Sequence, residues 1–312
     1  MDFKKLLPII GILLFVYILI DTGIYKIANA FSLIPIQFFI LGFIPYFLVL
    51  LLTIVKWQYL SKKQQMAFTN LQLVKISLIS RFYGNVTPGG FGGYIRIFYL
   101  RKFSKASIEK CLVNMLIDVT TGSIIGFSIA LIGSIVLIEA VPGFFPVILL
   151  FLIFYATTFV IFMKKSGGKK IYKYFIRRLI PKKFKDRTDK SFESLYEDIP
   201  RLRDTIFPML IEIIIWTAIG AQVYFFALAF SLNIPIHMFI LIHTISVVSV
   251  VILPISIGGL GVREGAFVFI LHNFYGVEKE IALVISLSGY IVKMLIPTVL
   301  GMIIAIKERK NL

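Results

Sequence analysis

Two stretches of this chain share one pattern: PGGFGGYIR at residues 88–96 and PISIGGLGVR at residues 254–263. In each stretch a proline leads into a cluster of glycines, and an arginine follows. Glycine and proline weaken helices, and lipid tolerates unpaired backbone only where protein or water covers it. Matched interruptions in the two halves of an apolar chain are the best sequence indication of a transporter's binding site. We therefore expect these two breaks to decide both the fold and the site.

The composition around the breaks is that of an integral membrane protein. The 312 residues are 58% hydrophobic and only 16% charged, with a mean hydropathy of +0.91, whereas soluble domains average about 25% charged residues. No long stretch has the composition of a separate soluble domain. We predict a single all-α, polytopic membrane domain over residues 1–312, with a first half at 1–163, a basic loop at 164–205 and a second half at 206–312.

Apolar runs of roughly 20 residues, long enough to cross the hydrocarbon layer, predict the positions of the helices. Helices are expected near residues 6–24, 36–55, 107–137, 144–163, 206–230, 238–253 and 281–306, with shorter apolar pieces at 94–100 and 266–274. The segment 66–81 is of mixed character. We expect six to eight transmembrane helices: eight if the two broken elements form crossings, or six if the breaks are re-entrant loops.

The net charge of +17 comes mainly from clusters of lysine and arginine beside the predicted spans. Twelve of the 33 basic residues fall between Lys164 and Lys190, whereas the short loops at 140–143 and 231–235 contain none. This alternation follows the positive-inside rule. It predicts a multi-pass protein of the cell membrane with cytoplasmic N- and C-termini, and it explains the basic charge without a nucleic-acid partner.

Several polar side chains lie inside the predicted spans, where each is costly and usually faces a partner or a cavity. They include Asp118, Glu212, His243 and Lys293, and Asn114 lies four residues before Asp118 on the same helical face. We expect Lys293 to be the counter-ion of one of the two acids. Glu212, near the start of its helix, alternatively reaches water. The set either forms a buried pair that fixes helix packing or lines a polar pathway.

The two breaks have the chemistry of an anion site. Unwound backbone exposes N–H groups, and a helix that begins after the gap points its positive dipole end towards it. Arg96 and Arg263 add guanidinium groups that suit phosphate oxygens. Glu264 would either orient Arg263 or neutralise it when the site is empty. The predicted site for an anionic lipid headgroup comprises Gly89, Gly90, Arg96, Asp118, Gly258, Gly259, Gly261, Arg263, Glu264 and Lys293. Alternatively, the glycines only permit tight packing and the arginines only anchor the topology.

The second break, GGLGVREGA at residues 258–266 after Pro254, resembles the second-half signature of the lysylphosphatidylglycerol synthase transmembrane region, also called the flippase-like domain family. The first half is similar too: NVTPGG at 85–90, YIR at 94–96, a basic patch, then a helix with Asp118. The resemblance covers nearly the whole chain and implies a polytopic domain that moves lipids between leaflets. Bifunctional members carry a soluble aminoacyl-transferase domain, and this chain stops at Leu312. We therefore expect the membrane module alone, without that enzymatic activity.

Three functions are compatible with these observations. The first is a flippase that moves an anionic phospholipid or a polyprenyl-phosphate lipid; the chain has no P-loop sequence, so ATP is not expected to drive it. The second is a membrane-embedded transferase or accessory protein acting on polyprenyl-phosphate-linked sugars, with Asp118 or Glu264 as general base. His237, His243 and His272 lack metal-ligand spacing, and no cofactor is expected. The third is a structural or regulatory membrane protein, which leaves the repeated breaks without a role. A homo-oligomer is compatible with all three.

Overall fold

The computed structural model describes residues 3–87, 90–171, 174, 177, 189, 192–196 and 199–309, and the regular elements within them are helices. In chain order they are α1 (Phe3–Thr22), α2 (Ile24–Ser32), α3 (Ile36–Lys63), α4 (Asn70–Asn85), α5 (Arg96–Ser104), α6 (Ile108–Val136), α7 (Phe144–Met163), α8 (Lys165–Ile171), α9 (Ile206–Leu228), α10 (Ile236–Ile252), α11 (Val262–Tyr275), α12 (Lys279–Tyr290) and α13 (Ile296–Arg309). Short 3-10 turns at Phe91–Ile95 and Leu202–Thr205 precede α5 and α9, and a π turn at Ile291–Leu295 joins α12 to α13. The predicted all-α class is confirmed.

Five of the described helical segments are long and apolar enough to cross a membrane: Ile36–Lys63, Ile108–Val136, Phe144–Met163, Leu202–Leu228 and Lys279–Glu308. A sixth crossing follows if α1 and α2, which meet at a bend of 79°, form one broken span. The apolar helix α10 is shorter, at 17 residues. The chain is therefore a multi-pass membrane protein. Eight crossings, the number predicted if each broken element crosses the membrane, would require that some spans consist of two shorter helices.

Helix α9 lies at the centre of the bundle and packs along α3, α10 and α12, while α10 also packs on α6 and α11. The largest fully buried side chains of the main core come from four helices, α6, α9, α10 and α11: Phe127, Phe226, Phe239 and Phe267. Elsewhere large apolar side chains point outwards, as on α7, where Leu150 and Phe154 are exposed. A helix that is apolar on all sides is typical of a membrane span.

Helices α4 and α13 pack closely against each other. Gly301 on α13 lies against the backbone of α4, and a Cβ atom at this position would collide with the carbonyl group of Leu78. Small residues of this kind allow helix backbones to approach closely within a membrane, where packing rather than hydrophobic exclusion drives association. This contact holds the first break next to the last helix.

Both glycine-rich stretches interrupt helices, as predicted. In the first half, α4 ends, a turn and a 3-10 helix follow, and α5 begins; in the second half, a loop separates α10 from α11. The glycines with positive φ in these breaks are Gly90 (73°), Gly258 (60°), Gly259 (80°) and Gly261 (87°). A residue with a Cβ atom is strained in this region, which explains why glycine occupies the turns. Pro88 and Gly89 lie outside the described residues.

Candidate functional site

The two breaks face each other across one cavity of about 510 Å³. On one side lie residues of α4 and the first break, among them Arg81, Asn85 and Gly90, and on the other lie Gly258 and Arg263 of the second break. The two backbones nearly touch, since a Cβ atom on Gly258 would lie 3.1 Å from the carbonyl oxygen of Asn85. The broken elements of the two halves therefore meet and enclose a common space.

Positive charge dominates the wall of this cavity. Arg81, Arg263 and Lys293 line it, and none of its described lining residues is acidic. Among the described residues, neither Arg81 nor Lys293 has an ion pair, and the buried Nε of Arg81 has no hydrogen-bond partner. Ser256, which is 1% exposed, is also among the lining residues, but its side chain packs against Gly11 of α1. Arg81 and Lys293 are therefore the cavity cations that an anion would pair with.

Arg263 is held in place by groups behind the cavity wall. Its Nε donates to Oε1 of Glu264 at 3.0 Å, a second nitrogen, Nη2, pairs with the same oxygen, and the guanidinium carbon lies 4.7 Å from the centre of the Tyr290 ring. The other carboxylate oxygen of Glu264 accepts the backbone N–H of Gly261 at 2.9 Å, which caps the start of α11. Glu264 is fully buried, so it orients Arg263 without lining the cavity.

Lys293 reaches the cavity from the π turn of the last helix. This turn, Ile291–Leu295, widens the helix locally and presents Lys293 and Met294 to the cavity. Single π turns inside α-helices are often found at functional sites. The Met294 sulfur also accepts from Nη1 of Arg263 at 3.0 Å. The last helix thus supplies a cation and fixes the position of a second one.

Arg96, the counterpart of Arg263 in the first break, lies in a different environment. It is 3% exposed, pairs with the carboxylate of Asp118, and donates to Oδ1 of Asn114 at 2.9 Å. Its guanidinium carbon lies 3.6 Å from the centre of the Trp57 ring. The predicted common face of Asn114 and Asp118 is therefore used, but to hold Arg96 inside the bundle rather than to bind a ligand in the cavity.

The two intramembrane acids have a different counter-ion from the one predicted. Lys56 on α3 lies 2.6 Å from Oδ1 of Asp118 and also pairs with Glu212, whereas Lys293 contacts neither acid. The reason is that α3 continues to Lys63, beyond its predicted end near residue 55, so Lys56 lies within the bundle. Glu212 is 6% exposed and does not reach water. Lys56, Arg96, Asp118 and Glu212 form what we call the buried ion cluster.

Half of the ten predicted site residues line the cavity together: Gly90, Gly258, Gly259, Arg263 and Lys293. Gly261 and Glu264 lie behind Arg263 at the start of α11, and Gly261 also makes room for the backbone of α1. Arg96 and Asp118 belong to the buried ion cluster, and Gly89 is outside the described residues. Within the described residues no group of three or more His, Cys, Asp or Glu side chains could hold a metal ion.

Arg81 is the main cavity residue that the sequence reasoning missed. It lies in the segment 66–81, whose mixed character hid a helix with a buried face. Leu73, Ile76 and Ile79 on that face are all fully buried, and their three-residue spacing is the signal of a packed helix. With that helix recognised, Arg81 would have counted among the charges inside the membrane.

Comparison with known proteins assigns the chain to a family. The family described as "Lysylphosphatidylglycerol synthase TM region" matches residues 6–301. A protein of Pyrococcus horikoshii described as a UPF0104 membrane protein is 26% identical over 331 aligned positions, which cover 99% of this chain and 98% of that protein. Both matches include the two breaks and the π turn with Lys293, so the elements that form the cavity lie within the shared region.

Proposed function

The chain belongs to the lysylphosphatidylglycerol synthase transmembrane-region family, and from this membership we propose that it moves an anionic lipid between the two leaflets of the cell membrane. The observation that carries the proposal is the cavity between the two breaks, with Arg81, Arg263 and Lys293 on its wall and no acid among its described lining residues. An anionic headgroup is the membrane component that such a cavity attracts.

The cavity suits a headgroup because its charges lie in surroundings of low dielectric constant, where electrostatic attraction is stronger than in water. Gly258 and Gly259 leave one wall without side chains, so a ligand can approach the backbone closely. A phosphate group would bind to Arg81, Arg263 and Lys293, which together offer several N–H donors. Binding of the headgroup offsets the loss of its hydration inside the membrane.

The protein has an apolar surface next to the cavity that would accommodate the lipid tails. Val250 and Val251 of α10 line the cavity, and directly after them Ile252 and Leu253 line a second, apolar hollow of about 290 Å³ between α7 and α10. The headgroup would therefore travel inside the protein while its tails remain beside α7 and α10. This arrangement favours a lipid over a soluble anion as the cargo.

Liposomes that carry the protein and a trace of tail-labelled fluorescent phosphatidylglycerol test the proposal. A membrane-impermeant reductant bleaches only the outer half of the label without the protein, and we expect nearly all of it to be bleached with the protein. Lys293→Met should slow the movement, whereas Lys279→Met, which removes an exposed lysine paired with Asp21 outside the cavity, should not. If the unaltered protein leaves the inner label untouched both with phosphatidylglycerol and with phosphatidic acid labelled in the same way, the proposal fails. A covalently changed lipid would support the transferase instead.

We also propose that both termini face the cytoplasm, on the strength of the basic clusters beside the spans. Cys111, the only cysteine, is fully buried. Its replacement by serine gives a cysteine-free protein into which single cysteines can be introduced. An impermeant maleimide should label Glu139→Cys, in the exposed loop between α6 and α7, in intact cells. It should label Lys62→Cys, at the end of α3, only after permeabilisation. The opposite labelling pattern would overturn the orientation.

A further inference from the structure

The charges on the cavity wall do not balance among the described residues. With Lys293 protonated, Arg81, Arg263 and Lys293 contribute +3, and Glu264, the only described acid that contacts any of them, contributes −1, which leaves +2. The buried ion cluster does not change this sum, because Lys56 and Arg96 balance Asp118 and Glu212. Unbalanced charges inside a membrane protein are costly unless a partner neutralises them.

We propose that the lipid bound here carries a phosphate monoester, and that Arg81 and Lys293 select it over a phosphodiester. This inference rests on the proposed function and specifies its substrate class. A phosphate monoester carries about −1.5 to −2 charges at neutral pH, whereas a phosphodiester such as phosphatidylglycerol carries a single negative charge. The monoester matches the net charge of the cavity wall, and the diester leaves one cation unpaired.

The donors of the unpaired cations agree with this choice. Arg81 and Lys293 line the cavity without an ion pair among the described residues, and their side chains offer several N–H donors. A terminal phosphate presents three strong acceptor oxygens, while esterification of a second oxygen removes one of them. Arg81 and Lys293, the two cations without an ion pair, are thus the groups with which a terminal phosphate would pair.

Two lipids that differ by one methyl group provide the sharpest test. Phosphatidic acid and phosphatidylmethanol with the same acyl chains have nearly the same size, but only the first is a phosphate monoester. Binding of each to the purified, unaltered protein is measured by native mass spectrometry or by titration in lipid nanodiscs. We expect phosphatidic acid to bind about tenfold more tightly, because one additional charge-assisted contact is made. A polyprenyl phosphate tested alongside them identifies which lipid backbone the site prefers.

Substitutions test whether the cavity residues cause the preference for phosphatidic acid. Lys293→Met should reduce the ratio of the two affinities towards one, while Lys279→Met should leave it unchanged. Equal binding of phosphatidic acid, polyprenyl phosphate and phosphatidylmethanol to the unaltered protein would overturn the monoester proposal but leave transport of an anionic lipid standing. If none of the three binds, the proposed function itself fails. The comparison on the unaltered protein does not depend on whether any variant folds.

Discussion

Replacement of Lys56 by methionine should destabilise the protein strongly, because it removes the central cation of the buried ion cluster. The two cations and two carboxylates of the cluster cancel, so Lys56→Met leaves a net charge of −1. The side chains of Lys56 and Glu212 are only 5% and 7% exposed, and Glu212 would keep no ion-pair partner among the described residues, whereas Asp118 retains Arg96. Removing one partner of a buried ion pair typically costs about 3–5 kcal/mol, and we expect the free energy of unfolding to fall by that amount.

A double-mutant cycle tests this reasoning. Glu212→Gln alone leaves a net charge of +1 and should also destabilise the protein, whereas Lys56→Met combined with Glu212→Gln restores neutrality and keeps the pair between Arg96 and Asp118. We therefore expect the double variant to lose clearly less stability than the sum of the two single losses, as contacting residues do. Reversible unfolding in detergent micelles, followed by circular dichroism, measures all four proteins. Strictly additive losses would show that Lys56 and Glu212 do not interact and would refute the argument.

Two further predictions concern glycines whose environment in the structure is specific. Gly258→Ala should slow lipid movement and lower stability by about 1–2 kcal/mol, because Gly258 has a φ of 60° and its new Cβ atom would lie 3.1 Å from the Asn85 carbonyl oxygen. Gly143→Ala, at a position with open space and a φ of −75°, is the matched control in the liposome assay. Equal rates for both variants would contradict the prediction. Gly301→Ala should lower the midpoint of thermal unfolding, because its Cβ atom would push α13 away from the Leu78 carbonyl. An unchanged midpoint would mean that the two helices separate there at no cost.

The positions of the long helices could be predicted because they depend on local signals. Helices α6 and α7 lie at Ile108–Val136 and Phe144–Met163, within a residue of the apolar runs that predicted them. The two breaks could be predicted equally well, because glycine and proline weaken a helix through their own backbone chemistry, whatever packs against it. The bend in the first span was harder to predict. Gly23, with a φ of 92°, divides this span into α1 and α2, and a single glycine at the end of an apolar run is a weak signal of a bend.

The partners of the buried charges could not be predicted from the sequence. Arg96 and Arg263 occupy corresponding places after their breaks, yet only Arg263 lines the cavity. The difference arises because α6 places Asp118 next to Arg96, a contact between helices that no local pattern encodes. The same holds for Lys56, whose role depends on how α3 lies against α6 and α9. Local sequence thus indicates where charges are buried, and tertiary packing decides which of them face the ligand.

The π turn at Ile291–Leu295 also determines the rotational phase of everything that follows it. Each residue of an α-helix advances by about 100° around the axis, and a π turn accommodates one additional residue while the helix continues. Consequently α12 can direct one face towards α9 and α11 while α13 turns a different face, with Gly301, towards α4. If the same five residues were wound as regular α-helix, the additional residue would rotate α13 by up to about 100° and move Gly301 away from Leu78. One continuous helix is thereby aligned independently at each of its two ends.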